Sequence, residues 1–526
     1  MSDAPKKQPT ILETIYAQRA KDVEVAKSTA GTTPEDISAL LAMHLAPPLI
    51  PLVDRLKRNP SSNTASPSPS LMAEIKRASP SKGPIAMTTN AAAQALTYAL
   101  SGASVISVLT EPTWFKGSLL DMRLARQAID ALPDRPAILR KEFILDEYQI
   151  AEARLHGADT VLLIVAMLSP DRLQALYAYS LSLGMEPLVE VNNAREMNLA
   201  LELGAKVIGV NNRNLHDFQV DMGTTSRLVE MVRERDVILC ALSGISNPKD
   251  VQVYKEQGVR AVLVGEALMR AADTGAFIRD LLQWPEPEPE RNEPTWVMVS
   301  GVKDAAEAES LAKAGADMIG FIFDDTSSRN TTPDAAAQIV DIIRASGLPA
   351  SSAPTPAAAP VTPAPWFTTQ RRNLQSTAVR SLAVGTFRNS TLSDILRIVA
   401  AAKLDLVQVD ASVPAGWIKH IPVPVIRRFR IDDTADLARP GVHSFALVEH
   451  DTSEGDEKNF QKAATLVQAG EAGKWPTPII LSGGLTMKNV ARAIQTVGPW
   501  AVEISLEADP PADNVREFMA AVKNTQ

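Results

Sequence analysis

The amino-acid sequence predicts an α/β protein built as two tandem (β/α)8 barrels, the first carrying an N-terminal helical extension. Three observations predict it. Between residues 71 and 284, eight short β-branched runs alternate with longer helical patterns, the signature of repeated βα units on a parallel sheet. Between 295 and 526 the same plan recurs more faintly. Between them, 285–294 is a Pro- and Glu-rich run that can neither continue a helix nor bury itself, and it reads as a stiff, acidic linker. The expected domains are therefore 1–284 and 295–526.

In chain order, helical segments from Leu12 to Leu56 come first, then a Pro- and Ser-rich loop over 60–70. Strand candidates of the first barrel are 71–76, 104–109, 137–140, 160–165, 187–191, 206–210, 237–242 and 260–264, each a short run bounded by helical pattern. Eight such strands fit a closed TIM barrel, whose chemistry sits at the C-terminal strand ends. A doubly wound open sheet is the competitor, but no Gly-x-Gly-x-x-Gly follows the first strand. In the second half the candidates are 296–299, 318–323, 379–384, 404–409, 424–426, 445–448, 478–481 and 501–504. The run 349–365 is almost wholly Pro, Ala, Ser and Thr without charge, and is expected to be a disordered insertion.

Composition narrows the function. The 526 residues are 45% hydrophobic and 22% charged, ordinary for globular domains. With 53 basic against 61 acidic residues the net charge is −8, which argues against a nucleic-acid ligand. The single cysteine, Cys240, forbids an internal disulfide or a Cys-based zinc site and suggests a reducing compartment. The longest apolar stretch, 161–168, is far short of a membrane span, and residues 2–7 lack a secretory apolar core. A cytoplasmic protein with no membrane partner is expected.

The residues that should face the first barrel's mouth carry chemistry. Glu74 and Lys76 are two apart on one strand and share a side of the pleat. Later strands end in Arg140-Lys141-Glu142, Glu190, Asn211-Asn212-Arg213, Ser243-Gly244 and Gly265-Glu266. Singly, each has a bland alternative: Glu74 and Lys76 as a structural ion pair, Arg140 to Glu142 as a solvated strand end. Together they converge on one end of one barrel. Such barrels often hold phosphate on backbone amides after strands seven and eight, a role that fits Ser243-Gly244-Ile245 and Gly265-Glu266-Ala267, with Ser79 as a further hydroxyl donor. Two ordinary turn glycines are the alternative.

Four segments make a resemblance specific: Ala73 to Gly83, Leu109 to Gly117, Leu139 to Phe143, and Gly209 to Leu215. They resemble indole-3-glycerol-phosphate synthase, over about Ile11 to Leu282. The resemblance implies an anionic phosphosugar substrate, 1-(2-carboxyphenylamino)-1-deoxyribulose 5-phosphate, converted to indole-3-glycerol phosphate, carbon dioxide and water. It implies Lys141 as general acid, Glu190 as base and Lys76 as a candidate second acid. Lys76 and Arg213 would hold the substrate carboxylate. Glu74 would orient and charge the lysines, while Asn211 and Ser243 would hold the sugar chain. Ser79, Gly244, Gly265 and Glu266 would contact substrate. No step requires a metal or redox cofactor. One departure stands out: the acid that commonly precedes the Ser-Gly of strand seven is here Leu242.

The second half resembles phosphoribosylanthranilate isomerase, which precedes the synthase in tryptophan biosynthesis, at Ala316 to Phe323, Leu404 to Val409 and Ile480 to Leu485. That family uses a cysteine base and an aspartate acid, where this chain has Ser300 and, as nearest match, Glu449. An unassisted hydroxyl is no base near pH 7, whereas a thiol of pKa ~8.5 is readily tuned. The extra methylene of Glu449 moves the carboxylate by about an ångström, which can cost roughly 10²-fold. The family's Gly-rich segment reads Glu454-Gly455-Asp456-Glu457, its loop after strand eight Ser505-Leu506-Glu507-Ala508, and its His-Gly Asp410-Ala411. Arg329 remains compatible with substrate binding, or with a surface arginine. An impaired isomerase domain is expected. A working bifunctional enzyme with a relocated base such as Asp451, and a noncatalytic scaffold, are the alternatives. Some fungal homologues carry a glutamine amidotransferase ahead of the synthase, but no nucleophile-elbow cysteine is present, so that activity is not expected here and the resemblance leaves room for association with anthranilate synthase subunits.

Overall fold

The computed structural model of the protein describes residues 10–58, 68–132, 134–214, 219–284, 294–345, 366–377, 381–433, 437, 439–450, 455–468, 478–508, 510 and 512–525. The expected linker, apart from Pro294, and the expected insertion at 349–365 lie outside the described residues, as does Asp451. The described residues form two compact units, one ending at Trp284 and one beginning at Pro294. Each contains a closed barrel of eight parallel strands.

In the first unit the strands are β1 (Ser70–Ile75), β2 (Val105–Leu109), β3 (Ala137–Lys141), β4 (Thr160–Ile164), β5 (Leu188–Val191), β6 (Val207–Asn211), β7 (Ile238–Leu242) and β8 (Ala261–Val264). The ladder closes where Ser70 of β1 pairs with Ala261 of β8. Inward residues alternate along each strand: Met72 precedes Glu74, Leu139 precedes Lys141, and Leu188 precedes Glu190. The interior is thus apolar at its base and charged at its C-terminal mouth. Three helices precede the barrel. The first, α1 (Ile11–Lys27), starts in a capping box between Thr10 and Glu13, and α2 (Pro34–Ala42) in one between Thr33 and Asp36. The last, α3 (Leu52–Lys57), closes the base, where Leu52 and Leu56 join the barrel interior and Arg55 donates to the Arg135 carbonyl. Leu12, Ile15 and Tyr16 of α1 join that apolar cluster together with Phe143, which follows β3 at the mouth.

The second unit holds β9 (Trp296–Ser300), β10 (Met318–Phe323), β11 (Leu382–Phe387), β12 (Leu406–Asp410), β13 (Val425–Arg430), β14 (Phe445–Glu449), β15 (Ile479–Ser482) and β16 (Ala501–Ser505). Its base is aromatic: Trp500 lies 5.3 Å from Trp296 and 4.6 Å from Phe445 between ring centroids. Two strands differ from the sequence expectation. The third strand ends three residues further along, at Phe387 rather than Val384, because Gly385 and Thr386 pair with both neighbours; 379 and 380 lie outside the described residues. The fifth continues to Arg430 rather than stopping at Ile426; its arginines stay in the ladder against β12 and β14. Among the described residues no helix is long and apolar enough to cross a membrane.

Candidate functional site

The first barrel's mouth encloses a cavity of about 420 Å³ whose lining includes Glu74, Lys76, Lys141, Glu190, Asn211 and Arg213. The Lys76 ammonium lies 2.6 Å from Glu74 Oε1. Lys141 Nζ sits between two carboxylates, 3.8 Å from Glu190 Oε2 and 4.0 Å from Glu74 Oε2. Asn211 Nδ2 donates to Glu190 Oε1 at 2.9 Å, and the Arg213 amide donates to Asn211 Oδ1 at 2.9 Å. Glu190 Oε2 is buried and accepts no hydrogen bond among the described residues. Burial pushes the Glu74 carboxyl up, but Lys76, Lys141 and Arg213 outweigh it and hold that group below the usual carboxylate range. The arrangement places two ammonium groups and two carboxylates in one enclosure, the requirement for delivering a proton at one point and removing one at another.

The Ser243-Gly244 and Gly265-Glu266 loops, after β7 and β8, line the same cavity, as does Ser79. Ser243 adopts a positive φ of 69°, a strained turn geometry for a residue with a Cβ. Gly265 has a steric task besides: a Cβ there would lie 2.4 Å from Glu74 Oε1 and 3.0 Å from Lys76 Nζ, so any larger residue would displace that ion pair from its present position. Glu266 pairs with Arg270, another lining residue, at 3.2 Å. Leu242 packs over Gly209, where the absence of a Cβ makes space for it.

Three features escaped the sequence reading. Tyr16 and Phe115 each pack on Phe143, at 5.6 and 5.8 Å between centroids, and give the mouth an aromatic wall. Arg19 of α1 reaches the buried Glu142, at 3.2 Å from Oε1 and 3.3 Å from Oε2. Buried Glu111 accepts from the Thr113, Trp114 and Phe115 amides at 2.7, 2.7 and 2.9 Å and so shapes the loop that presents Phe115. The signal available was an arginine and a tyrosine three apart on one helical face, spaced to meet the same surface.

The second mouth encloses a larger cavity, about 720 Å³, lined by Ser300, Thr386, Gln408, Glu449 and Glu503 among others. Here three arginines near the mouth are bound to the chain's own carboxylates. Arg428 donates to both oxygens of Glu449, at 2.5 and 3.1 Å. Arg388 donates to both oxygens of Glu507, at 3.3 and 2.8 Å. Arg329 pairs with Glu307 at 3.0 Å. Ser482 donates to Glu503.

Fold and site together define a class: an enzyme whose first (β/α)8 barrel sets lysines against carboxylates at its C-terminal mouth, followed in the chain by a second barrel of the same plan. Residues 12–281 match the family model for indole-3-glycerol phosphate synthase, and residues 334–506 match that for N-(5'-phosphoribosyl)anthranilate isomerase. A multifunctional tryptophan biosynthesis protein of Phanerodontia chrysosporium is 55% identical, over 98% of this chain and 70% of its own length. The namesake of Schizosaccharomyces pombe is 47% identical, over 98% and 67%. An indole-3-glycerol phosphate synthase of Dehalococcoides mccartyi is 48% identical over 40% of this chain and 81% of its own. The chain belongs to the indole-3-glycerol phosphate synthase family, in the fused form that joins a synthase barrel to a phosphoribosylanthranilate isomerase barrel.

Proposed function

We propose that the first barrel closes the indole ring of 1-(2-carboxyphenylamino)-1-deoxyribulose 5-phosphate, releasing carbon dioxide and water. An aromatic carbon attacks the substrate ketone while Lys141 protonates the oxygen on which charge develops. Lys76 and Arg213 hold the carboxylate until it leaves. Lys76 then protonates the departing hydroxyl, and Glu190 takes the ring proton through its unpartnered Oε2. Glu74, bonded to Lys76 and 4.0 Å from Lys141, aims both amines. Asn211 and Ser243 hold the sugar chain, and Ser79 and the loops at Gly244 and Gly265 take the phosphate, where such barrels commonly bind it. Phe115 and Phe143, which line the cavity, suit the flat face of the aryl ring. The observation that carries this reading is Lys141 Nζ poised between Glu74 and Glu190 inside one cavity.

Its test is the kinetics of Lys141→Ala and Glu190→Gln with that substrate. Each should lower kcat by about 10²- to 10⁴-fold with a small change in KM. Retention of activity within tenfold in both would overturn the assignment.

For the second barrel we propose an isomerase fold with impaired activity. Ser300 lacks a thiol's acidity, and Glu449 is engaged at both oxygens by Arg428, so neither oxygen is free to meet substrate. Turnover of phosphoribosylanthranilate that is lost in Glu449→Ala would establish the bifunctional alternative. We place the protein in the cytoplasm and propose that it associates with anthranilate synthase subunits.

A further inference from the structure

We propose that Glu507 is a resident stand-in for a ligand phosphate in the second barrel: its carboxylate fills the anion subsite at the mouth and occupies the arginine facing it. The inference rests on the impaired-isomerase reading and gives it a specific cause.

In (β/α)8 barrels the phosphate lies against the loops after the seventh and eighth strands. In this barrel those loops are Ser482 to Leu485 and Ser505 to Ala508, and both contribute residues to the 720 Å³ cavity. The second loop carries Glu507 in a short turn of helix over 506–508, where the Glu507 amide donates to Ser505 Oγ at 3.2 Å. From there the carboxylate meets the Arg388 guanidinium through both oxygens, and Ser327 Oγ donates to Oε1 at 2.6 Å. An arginine fork and a hydroxyl converging on two anionic oxygens is the donor set that phosphate takes. Arg388 also has Asp324 at 3.8 Å, so its charge is answered twice from within the chain. Burial pushes the Glu507 carboxyl up, but hydrogen bonds from Arg388 and Ser327 outweigh it and keep the group ionised at neutral pH. An incoming phosphate therefore meets a fixed negative charge and no unshared arginine. Arg428, held by Glu449, and Lys488 are the other cations lining this cavity.

The test is binding stoichiometry on the full chain, by calorimetry, with the ketone-reduced form of 1-(2-carboxyphenylamino)-1-deoxyribulose 5-phosphate as the probe; it cannot cyclise. Wild type should bind one equivalent, in the first barrel. Glu507→Ala and the isosteric Glu507→Gln should each bind two, the second within 100-fold of the first in affinity. The unchanged first site and the thermal transition report that the variants fold. One equivalent in both variants overturns the proposal while leaving the impaired reading intact. Two equivalents in wild type also overturn it, and turnover of phosphoribosylanthranilate by the same sample then shows whether the impaired reading falls too.

Discussion

Replacing Arg19 by Met should loosen the N-terminal helix at the mouth of the first barrel, and the structure sets the size of the effect. The Glu142 side chain is fully buried, and Arg19 is its charged partner at 3.2 Å. Removing one member of a buried pair costs about 3–5 kcal/mol, because the other charge is left in a poor solvent. Glu142 would still accept from Thr110 Oγ1 at 2.7 Å and the Phe143 amide at 2.9 Å, and Arg140 stays 3.8 Å away. These contacts place the loss at the low end, about 3 kcal/mol, or roughly 100-fold in the ratio of docked to undocked α1. Tyr16 lies on the same helical face and would leave Phe143 with it. Hydrogen exchange should show protection of residues 11–27 reduced by roughly 100-fold, and KM for the synthase substrate should rise by about an order of magnitude with a smaller change in kcat. Arg19→Met with Glu142→Gln should recover at least half of the lost protection, since no unpaired buried charge remains. Wild-type protection and KM in the single variant would refute the reasoning.

Four further outcomes are expected. Gly265→Ala would push a methyl to 2.4 Å from Glu74 Oε1; kinetics and melting should show a loss of synthase activity with about 1–3 kcal/mol of strain. Glu111→Ala strips the acceptor from three amides, so it should destabilise by about 2 kcal/mol or more and raise KM as Phe115 leaves the wall, with Glu111→Gln recovering part of both. Burial pushes the Cys240 thiol up to about 12; at pH 8 its thiolate fraction is about 10⁻⁴, and Ellman's reagent should label it only after unfolding. Glu74 has a folded pKa below its unfolded value, ~4.3. Its contribution to stability is complete above that value and is lost as pH falls through the folded pKa, so melting temperatures across pH 3 to 7 should fall less steeply on the acid side in Glu74→Gln.

The fold was legible because strand spacing and β-branched runs are local signals, and parallel strands buried on both faces leave few alternatives. The mouth was legible for a related reason. An inward residue at a strand's C-terminal end is set by alternation, so Glu74, Lys76, Lys141 and Glu190 could be assigned to one face without coordinates. What stayed hidden depends on distant contacts. Arg19 and Glu142 lie 123 residues apart, and nothing near either marks the other. Glu111 read as one acid in a motif, while its role comes from the path of the loop that follows. In the second barrel the sequence displayed Glu449 as a misplaced acid, but only the fold brings Arg428 onto both its oxygens.

The two mouths differ in how their charges are satisfied, and the impaired-isomerase proposal rests on that difference. In the first barrel Lys141 stands 3.8 to 4.0 Å from its carboxylates, and one Glu190 oxygen is without a hydrogen bond, an arrangement that substrate completes. In the second, Arg428, Arg388 and Arg329 are each held by a carboxylate of the chain itself. A ligand that recruits one of these arginines must break an existing ion pair for each new one it forms, so its net gain there is small. Barrel strands are held by ladder hydrogen bonds and apolar alternation, which these substitutions leave alone. On the impaired-isomerase proposal, such a barrel keeps its architecture while its mouth binds anions weakly, and the first losses to look for are in the loops after β15 and β16 rather than in the strands.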